Sequence, residues 1–222
     1  MKIDILTLFP EMYEGFLSES IIKRAIEKQI VEIKIHNIRD YSKDPHKKVD
    51  DYGFGGGAGM ILMCQPIFDA VESLKEEDTK VILLTPQGDL YKQTIASNLS
   101  KEKHIILICG HYEGFDERIR SIVDMEISIG DYVLTGGELP SMVITDSIVR
   151  LLKGTIDEAS LQSESFDNNL FDYPQYTKPR NFRDMKVPEI LFSGHHEKIR
   201  KWRLMKQQEK TKERRPDLLK EE

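Results

Sequence analysis

The chain has 222 residues, 39% hydrophobic and 32% charged, which predicts a soluble protein of one large domain, or one medium and one small domain. Its apolar runs fall well short of the ~20 residues that cross a bilayer, which argues against a membrane protein. The first ten residues carry Asp4 within a short apolar run, so they predict a buried strand rather than a signal peptide. Cys64 and Cys109 lie in apolar runs and predict reduced packing residues of a cytosolic protein.

The charge is unevenly distributed along the chain. The net charge of −6 by itself argues against a nucleic-acid partner. Residues 178–222, however, hold 14 Lys and Arg against 8 Asp and Glu, whereas residues 1–177 hold 18 against 30. A basic tail on an acidic body suggests a polyanionic partner. A solvated helix face that balances the acidic body explains the same pattern, and both interpretations stay open at this point.

Strand and helix patterns alternate along the first 154 residues. Strands are predicted at 2–8, 31–36, 81–84, 104–109 and 125–129, and helices at 11–29, 65–74, 92–99, 116–122 and 141–152. This alternation predicts an α/β fold with a mostly parallel sheet. The polar stretch 155–179 then predicts a linker or mobile loop, and 195–212 predicts a basic helix, with a domain boundary near residue 160.

Three predicted strands end in turn-forming segments, 85–89, 110–114 and 130–137. Ligands of α/β proteins bind outside the carboxyl ends of the strands, so three such segments on one edge predict a single pocket. The last segment carries Gly136 and Gly137, and Pro140 then marks a helix start. An ordinary tight turn between a strand and a helix is the alternative reading of this segment.

Three further features limit the kinds of site that this sequence can form. The glycine-rich segment 53–59 matches neither a phosphate loop nor a dinucleotide fingerprint, so we interpret it as a loop that another chain or a substrate can approach closely. Neither the histidines nor the cysteines have metal-ligand spacing, and no metal site is predicted. Arg150 follows Asp146 by four residues, so it forms an ion pair within a helix or offers a cation to a substrate oxygen.

Several longer motifs resemble one enzyme family, the bacterial tRNA (guanine-N1)-methyltransferases of the TrmD type in the SPOUT superfamily. The matching stretches, in chain order, are Asp50-Asp51 with Gly55-Gly-Gly-Ala-Gly-Met60, Thr85-Pro-Gln-Gly88, 109–118, 128–140, 173–179, His196 with Ile199, Trp202 and Arg203, and Arg215-Pro-Asp-Leu218. They cover essentially the whole chain, which makes a chance match a poor explanation.

The resemblance implies a fold, a partner and a reaction. The fold is α/β with a deep trefoil knot, a mostly parallel sheet with helices on both faces, and a small helical C-terminal domain. The boundaries it implies are 1–159 for the knotted domain, 160–175 for a linker and active-site loop, and 176–222 for a basic tRNA-binding domain. The reaction is S-adenosylmethionine-dependent methylation of N1 of the guanine immediately 3′ of the tRNA anticodon, which maintains the reading frame, by a cytoplasmic homodimer with its active sites at the interface.

The resemblance also assigns site residues. Those implied to bind the cofactor are Leu84, Thr85, Pro86, Gly110, Tyr112, Glu113, Ile129, Gly130, Tyr132, Leu134, Gly136 and Gly137. The catalytic pair is Arg150, as the cation near guanine O6, and Glu164, which stands where the family has an Asp as general base. Asp172 supports the active-site loop, and tRNA phosphates are held by Lys198, Arg200, Lys201 and Arg203. The resemblance also implies a role for Mg²⁺, but this sequence shows no set of protein side chains that would bind the ion.

Two alternatives to this function are kept. One is a related knotted RNA methyltransferase that acts on another nucleotide. The other is an RNA-binding protein that retains the cofactor fold without catalysis, an alternative that the Glu at position 164 keeps open.

Overall fold

A computed structural model describes residues 1–157 and 164–219 of the protein. Its internal contacts divide the chain into two compact units, Met1–Ile156 and Asp157–Glu222. The predicted boundary between residues 159 and 160 lies outside the described residues, and the three-part division stays a prediction. None of the described helices combines the length and the apolar character that a membrane span requires.

The first unit is built on a parallel β-sheet. Its strands are β1 (Lys2–Thr7), β2 (Glu32–Asn37), β3 (Asp50–Tyr52), β4 (Met60–Leu62), β5 (Thr79–Leu90), β6 (His104–Cys109) and β7 (Met125–Ser128). Five of them form a sheet in the order β2-β1-β6-β5-β7, in which every pairing is parallel, and β3 and β4 form a separate antiparallel hairpin. The predicted α/β class with a mostly parallel sheet is confirmed.

Helices cover the sheet. They are α1 (Glu14–Ser18), α2 (Ser20–Glu27), α3 (Cys64–Leu74), α4 (Gln93–Leu99) and α5 (Glu138–Val149), with short 3₁₀ helices at Pro10–Tyr13, Ile38–Tyr41 and Glu117–Ile122. Successive strand residues face opposite sides of a sheet. Ile3 and Ile5 accordingly share one core with α2, α4 and α5, whereas Leu6 joins a second core with α3.

The predicted helix 11–29 is wrong as a single element. The structure divides it into the 3₁₀ helix Pro10–Tyr13, α1 and α2, because Glu19 is extended with φ −128° and ψ 159°. Ser18 and Ser20 flank this break, and the Ser18 hydroxyl donates to the Gly15 carbonyl over 3.4 Å. Serine side chains compete for backbone hydrogen bonds and so disfavour a helix interior.

Two sheet features depart from the sequence prediction. Strand β5 does not end at residue 84, because the chain leaves the sheet after Leu84 and pairs with β7 again from Asp89 onwards. Gly88 permits the return, since a Cβ there would lie 2.4 Å from the backbone carbon of Glu126. The β3–β4 hairpin was not predicted, because strands of three residues are too short to display an alternating pattern.

A charge network around the buried Asp4 joins β1 to its two neighbours in the sheet, β2 and β6. The Asp4 carboxylate is fully buried and accepts hydrogen bonds of 2.7 Å from Nε2 of both His36 and His104. The Nδ1 atom of His104 lies 2.7 Å from the Thr79 hydroxyl, and Lys2 Nζ lies 3.3 Å from the carboxylate. Burial opposes ionisation of Asp4, but these two hydrogen bonds and the nearby cation lower its pKa from 3.8 to about 2.

The second unit contains one long helix and a small hairpin. Its elements are 3₁₀ helices at Asp167–Asn169, Glu189–Phe192 and Pro216–Leu219, strands β8 (Asn181–Phe182) and β9 (Met185–Lys186), and helix α6 (His196–Arg214). The Phe171 N–H donates to the Thr211 hydroxyl over 2.8 Å, which joins the segment before the hairpin to α6. The basic helix predicted at 195–212 is confirmed as α6, which begins one residue and ends two residues later than predicted.

Candidate functional site

A cavity of about 390 Å³ opens where the carboxyl ends of β5, β6 and β7 meet. Its walls are segments 84–87, 110–115 and 127–137, so the predicted convergence of three loops is observed. The cavity is lined by all of the residues that the family resemblance assigns to the cofactor: Leu84, Thr85, Pro86, Gly110, Tyr112, Glu113, Ile129, Gly130, Tyr132, Leu134, Gly136 and Gly137. That a cofactor binds here stays a prediction.

Backbone packs directly against backbone at the back of this cavity. The Gly137 N–H donates to the Gly110 carbonyl over 2.8 Å, which holds the last two loops together. A Cβ on Gly137 would lie 2.6 Å from Cys109 Cα, and a Cβ on Gly110 would lie 2.8 Å from the ring of Phe115. Only glycine therefore allows both loops to come this close, and peptide groups rather than long side chains form this wall.

Buried polar groups lie beneath the wall, among them the Glu138 carboxylate, which accepts a hydrogen bond of 2.7 Å from the Thr7 hydroxyl. The Tyr13 hydroxyl is 2.6 Å from Ser141 Oγ and 3.4 Å from Cys109 Sγ, and the Ser141 hydroxyl donates to the Glu138 carbonyl. Burial raises the pKa of the Cys109 thiol to about 12 and also raises the pKa of Tyr13. Burial and the raised pKa keep this thiol protonated at neutral pH and out of contact with solvent, which is typical of a packing cysteine.

The sequence reasoning missed a charged cluster on the rim. Arg120, which lines the cavity, hydrogen bonds to Glu117 over 3.0 Å and also to Glu126 and Gln87. These contacts join the 3₁₀ helix 117–122 to β7 and to the excursion of β5. Glu117 and Glu126 lie three and six residues from Arg120, but Gln87 is 33 residues away, so no single local motif contains the cluster.

Of the predicted catalytic pair, Arg150 lies in the first unit and does not line its cavity. Arg150 is half-buried at the end of α5, where its N–H donates to the Asp146 carbonyl over 3.1 Å. Helix α5 starts at the cavity wall and has 12 residues, so about 18 Å of helix separates its two ends. Glu164 is half-buried in the second unit.

The remaining predicted residues also lie in the second unit. The Asp172 N–H donates to Ser165 Oγ over 3.1 Å, and its carboxylate accepts from Gln175 over 2.8 Å. On α6, Lys201 pairs with Glu197 over 3.0 Å, and the Arg203 guanidinium lies 4.4 Å from the centre of the Tyr173 ring. Lys198 and Arg200 are exposed on the same helix. Within residues 1–157 and 164–219, no group of three or more His, Cys, Asp or Glu side chains is placed to hold a metal ion.

The fold and the cavity define the class as an α/β protein with an open cavity at the carboxyl edge of a parallel sheet, where ligands of such folds bind. Comparison with known proteins specifies the class further. Residues 1–221 match the family described as tRNA (Guanine-1)-methyltransferase TrmD. The chain belongs to this family, as its resemblance in sequence predicted, and it is an enzyme that methylates N1 of guanine in tRNA.

Individual relatives agree over nearly their full lengths. The chain is 58% identical to a tRNA (guanine-N(1)-)-methyltransferase of Dictyoglomus turgidum, over 99% of this chain and 90% of that protein. It is 55% identical to one of Ruminiclostridium cellulolyticum, over 98% and 96% of the two chains. A third, of Endomicrobium trichonymphae, is 53% identical over 99% of this chain and 100% of its own.

Proposed function

We propose that the enzyme transfers a methyl group from S-adenosylmethionine to N1 of the guanine immediately 3′ of the tRNA anticodon and so maintains the reading frame. The observation that carries this proposal is that all twelve residues that the family resemblance assigns to the cofactor line one cavity. Its volume of about 390 Å³ lies within the range of pockets that hold ligands of this size. Because the substrate is tRNA, we assign the enzyme to the cytoplasm.

The walls of the cavity suit this cofactor. Gly136 and Gly137 allow peptide groups to form this wall, since a Cβ would lie 2.3 Å from the Glu138 carboxylate at the first position and 2.6 Å from Cys109 Cα at the second. A wall of peptide groups can approach a flat base closely. Leu84, Pro86, Ile129 and Leu134 supply apolar contacts, and Glu113 supplies a carboxylate for hydroxyl or ammonium groups. When bound, S-adenosylmethionine supplies an electrophilic methyl group on a sulfonium.

We assign proton transfer to Glu164 and charge stabilisation to Arg150. Guanine N1 carries a proton and is a poor nucleophile, so a base must remove that proton as the new bond forms. A cation beside O6 stabilises the negative charge that develops there. Glu164 has one more methylene than the Asp of the family, so we expect the surrounding loop to absorb its greater length, with Asp172 supporting that loop.

We further propose a homodimer whose subunits complete each other's active sites. Arg150 lies at the far end of α5 from the cavity wall of its own chain. An exposed apolar surface surrounds the start of α5, with exposed fractions of 37% for Phe9, 49% for Met12, 52% for Leu139 and 47% for Val143. Contiguous apolar surfaces of this kind mark protein interfaces.

We propose that tRNA is held by the basic C-terminal region, with residues 1–159, 160–175 and 176–222 as the knotted, linking and tRNA-binding parts. Lys198, Arg200, Lys201 and Arg203 are exposed on α6, where they can reach phosphates in a salt-dependent, largely sequence-independent way. The parallel strand order β2-β1-β6-β5-β7 is compatible with the deep trefoil knot that we retain in the proposal. We assign Mg²⁺ no protein site and expect any requirement for it to act through the tRNA or at the reaction centre.

The reaction is tested with an unmodified tRNA transcript that has guanine 3′ of the anticodon, and with a matched transcript that has adenine there. We expect a 1-methylguanine product from the first transcript and no product from the second. A methylated base at another position would favour a related RNA methyltransferase. Cofactor binding without any product, beside an active control enzyme, would favour a binding protein.

The base is tested with Glu164→Gln, Glu164→Asp and Asp172→Asn. We expect Glu164→Gln to lower the single-turnover rate by about 10²- to 10⁴-fold, the range of positioned proton transfer, while cofactor affinity is kept. Glu164→Asp retains the carboxylate and should retain most of the rate. A wild-type rate for Glu164→Gln together with a large loss for Asp172→Asn would move the role to Asp172.

A further inference from the structure

The β3–β4 hairpin presents two aromatic rings to solvent. Asp50 pairs with Leu62 and Tyr52 pairs with Met60, so residues 53–59 form the connecting turn. The side chain of Phe54 in this turn is fully exposed, at 106%, and Tyr52 at the end of β3 is 75% exposed. Two exposed aromatic rings within three residues of the same hairpin offer a surface on which a planar partner can stack.

The turn holds these rings in open space. Gly55, Gly56 and Gly57 have φ values of +89°, +82° and +124°, a region of backbone conformation that favours glycine. A Cβ on any of the three would meet nothing within 4 Å. The positive φ values, and not close packing, therefore require glycine at these positions. The space around the tip of the hairpin is available to a partner.

The hairpin is fixed to the wall of the main cavity. The Glu113 N–H donates to the Met60 carbonyl over 3.0 Å, and Leu62 exchanges hydrogen bonds of 2.9 Å with Gly114 and Asp116. Leu62 is also fully buried in the core. Because Glu113 and Gly114 line the cavity, the hairpin and the cavity share one wall.

The charges of the hairpin favour a base over a phosphate as its partner. Asp50 and Asp51 lie on β3, and the nearby Lys48 is paired with Asp51 over 2.9 Å. Two carboxylates repel a phosphate, whereas an aromatic ring stacks on any unpaired base. The N1 atom of guanine is on its Watson–Crick edge, so the reaction requires an unpaired target and leaves bases without stacking partners nearby.

We propose that Phe54 stacks on an unpaired tRNA base at or next to the target guanine, so that the hairpin 50–62 forms the outer wall of the substrate site. This inference rests on the proposed function, since it takes the cavity at the shared wall as the methyl-donor site. Phe54 is then a positioning residue that acts on the RNA, without contact with the cofactor.

The test compares Phe54→Leu, which keeps an apolar side chain without a flat ring, with Phe54→Tyr, which keeps the ring. Leu90→Ala is the control, because Leu90 is exposed at 48% in the same unit and does not line the cavity. We expect Phe54→Leu to weaken binding of the tRNA transcript by about 5- to 100-fold, the range of base stacking on an aromatic side chain. Phe54→Tyr and Leu90→Ala should bind as the wild type does, and all three should keep the wild-type Kd for S-adenosylmethionine.

A second measurement does not require turnover. A transcript with 2-aminopurine on either side of the target guanine should lose fluorescence on binding the wild type and Phe54→Tyr, and keep it with Phe54→Leu. Equal tRNA affinity and equal quenching for Phe54→Leu and the wild type would overturn the inference. Dissociation of a dimer by Phe54→Leu, measured by sedimentation, would also overturn it, because the ring would then belong to a protein interface. If the wild type methylates no tRNA but its quenching depends on Phe54, the proposed function fails and the stacking stands.

Discussion

The two ends of the same sheet are built on opposite principles. In the amino-terminal halves of β1 and β6, the side chains of Asp4 and His104 form a network of short hydrogen bonds, which His36 completes from β2. At the carboxyl ends, glycine backbone such as Gly110 and Gly137 forms the back wall of a cavity. Side chains fill the first region, whereas peptide groups form the back of the second, with charged side chains such as Arg120 at its rim.

This difference separates stability from function. A buried network in which every polar group is bonded fixes the strands relative to one another, because any displacement leaves a charge without a partner. A backbone-lined cavity contributes few such hydrogen bonds between strands, and it leaves space for a ligand. Changes at the amino end should therefore alter the free energy of unfolding, and changes at the carboxyl end should alter methyl transfer.

The largest effect is expected from Gly137→Ala. The added Cβ would lie 2.6 Å from Cys109 Cα and 2.7 Å from the Gly110 nitrogen, so one loop must move. A displacement of about 1 Å at a reaction site can lower a rate by 10²-fold, and we expect a loss of that order in methyl transfer, with weaker cofactor binding. Single-turnover assays measure the rate of methyl transfer, and titration measures the affinity for the cofactor. Wild-type values of the rate and the affinity would show that the reaction does not depend on this cavity wall.

At the opposite end, Asp4→Asn should destabilise the protein by about 3 kcal/mol, because it removes the charged member of a buried network. Urea unfolding measures this loss. The cofactor Kd of the folded variant should match the wild type, and a large change in that Kd at unchanged stability would contradict the separation of the two ends.

The Asp4 network also predicts a dependence on pH. The pKa of Asp4 is lowered to about 2 in the folded protein, below its ordinary 3.8, so its stabilisation is present above pH 4 and is lost as the pH falls toward 2. This depression corresponds to about 2 kcal/mol. The difference in unfolding free energy between wild type and Asp4→Asn should shrink by that amount between pH 5 and pH 2, and a constant difference would refute the assignment to Asp4.

The smallest effect is expected from Gly15→Ala, a matched glycine substitution away from both ends. Gly15 lies in α1, and a Cβ there meets nothing within 4 Å. Alanine favours a helix over glycine by up to about 1 kcal/mol, so the variant should be equally or slightly more stable. Thermal unfolding and methyl transfer measured side by side should show a raised or equal Tm and an unchanged rate.

The sequence could predict features that depend on local patterns. The strand His104–Cys109 agrees with its predicted limits because six consecutive apolar or buried residues identify it. The three cavity loops follow from turn residues after such strands, and the resemblance to a family assigns individual residues there. Asp4 within β1 was taken only as an argument against a signal peptide, since its histidine partners are 32 and 100 residues away.

Other features depend on contacts between distant segments and leave no local signal. The return of β5 to β7 after its excursion and the hydrogen bond between Gln87 and Arg120 are of this kind. The relation of Arg150 and Glu164 to the cavity involves the second unit and, in our proposal, a second subunit, which a pattern within one chain does not contain.

The excursion of β5 between Leu84 and Asp89 has a consequence for the energetics of binding. The chain is paired with β7 both before and after residues 85–88, so this part of the cavity wall is anchored at both ends. The conformational entropy of these residues is lost when the protein folds, and little remains to be lost when a ligand arrives. Amide hydrogen exchange in the sheet-paired segments on both sides of this excursion should therefore be slow even in the free enzyme.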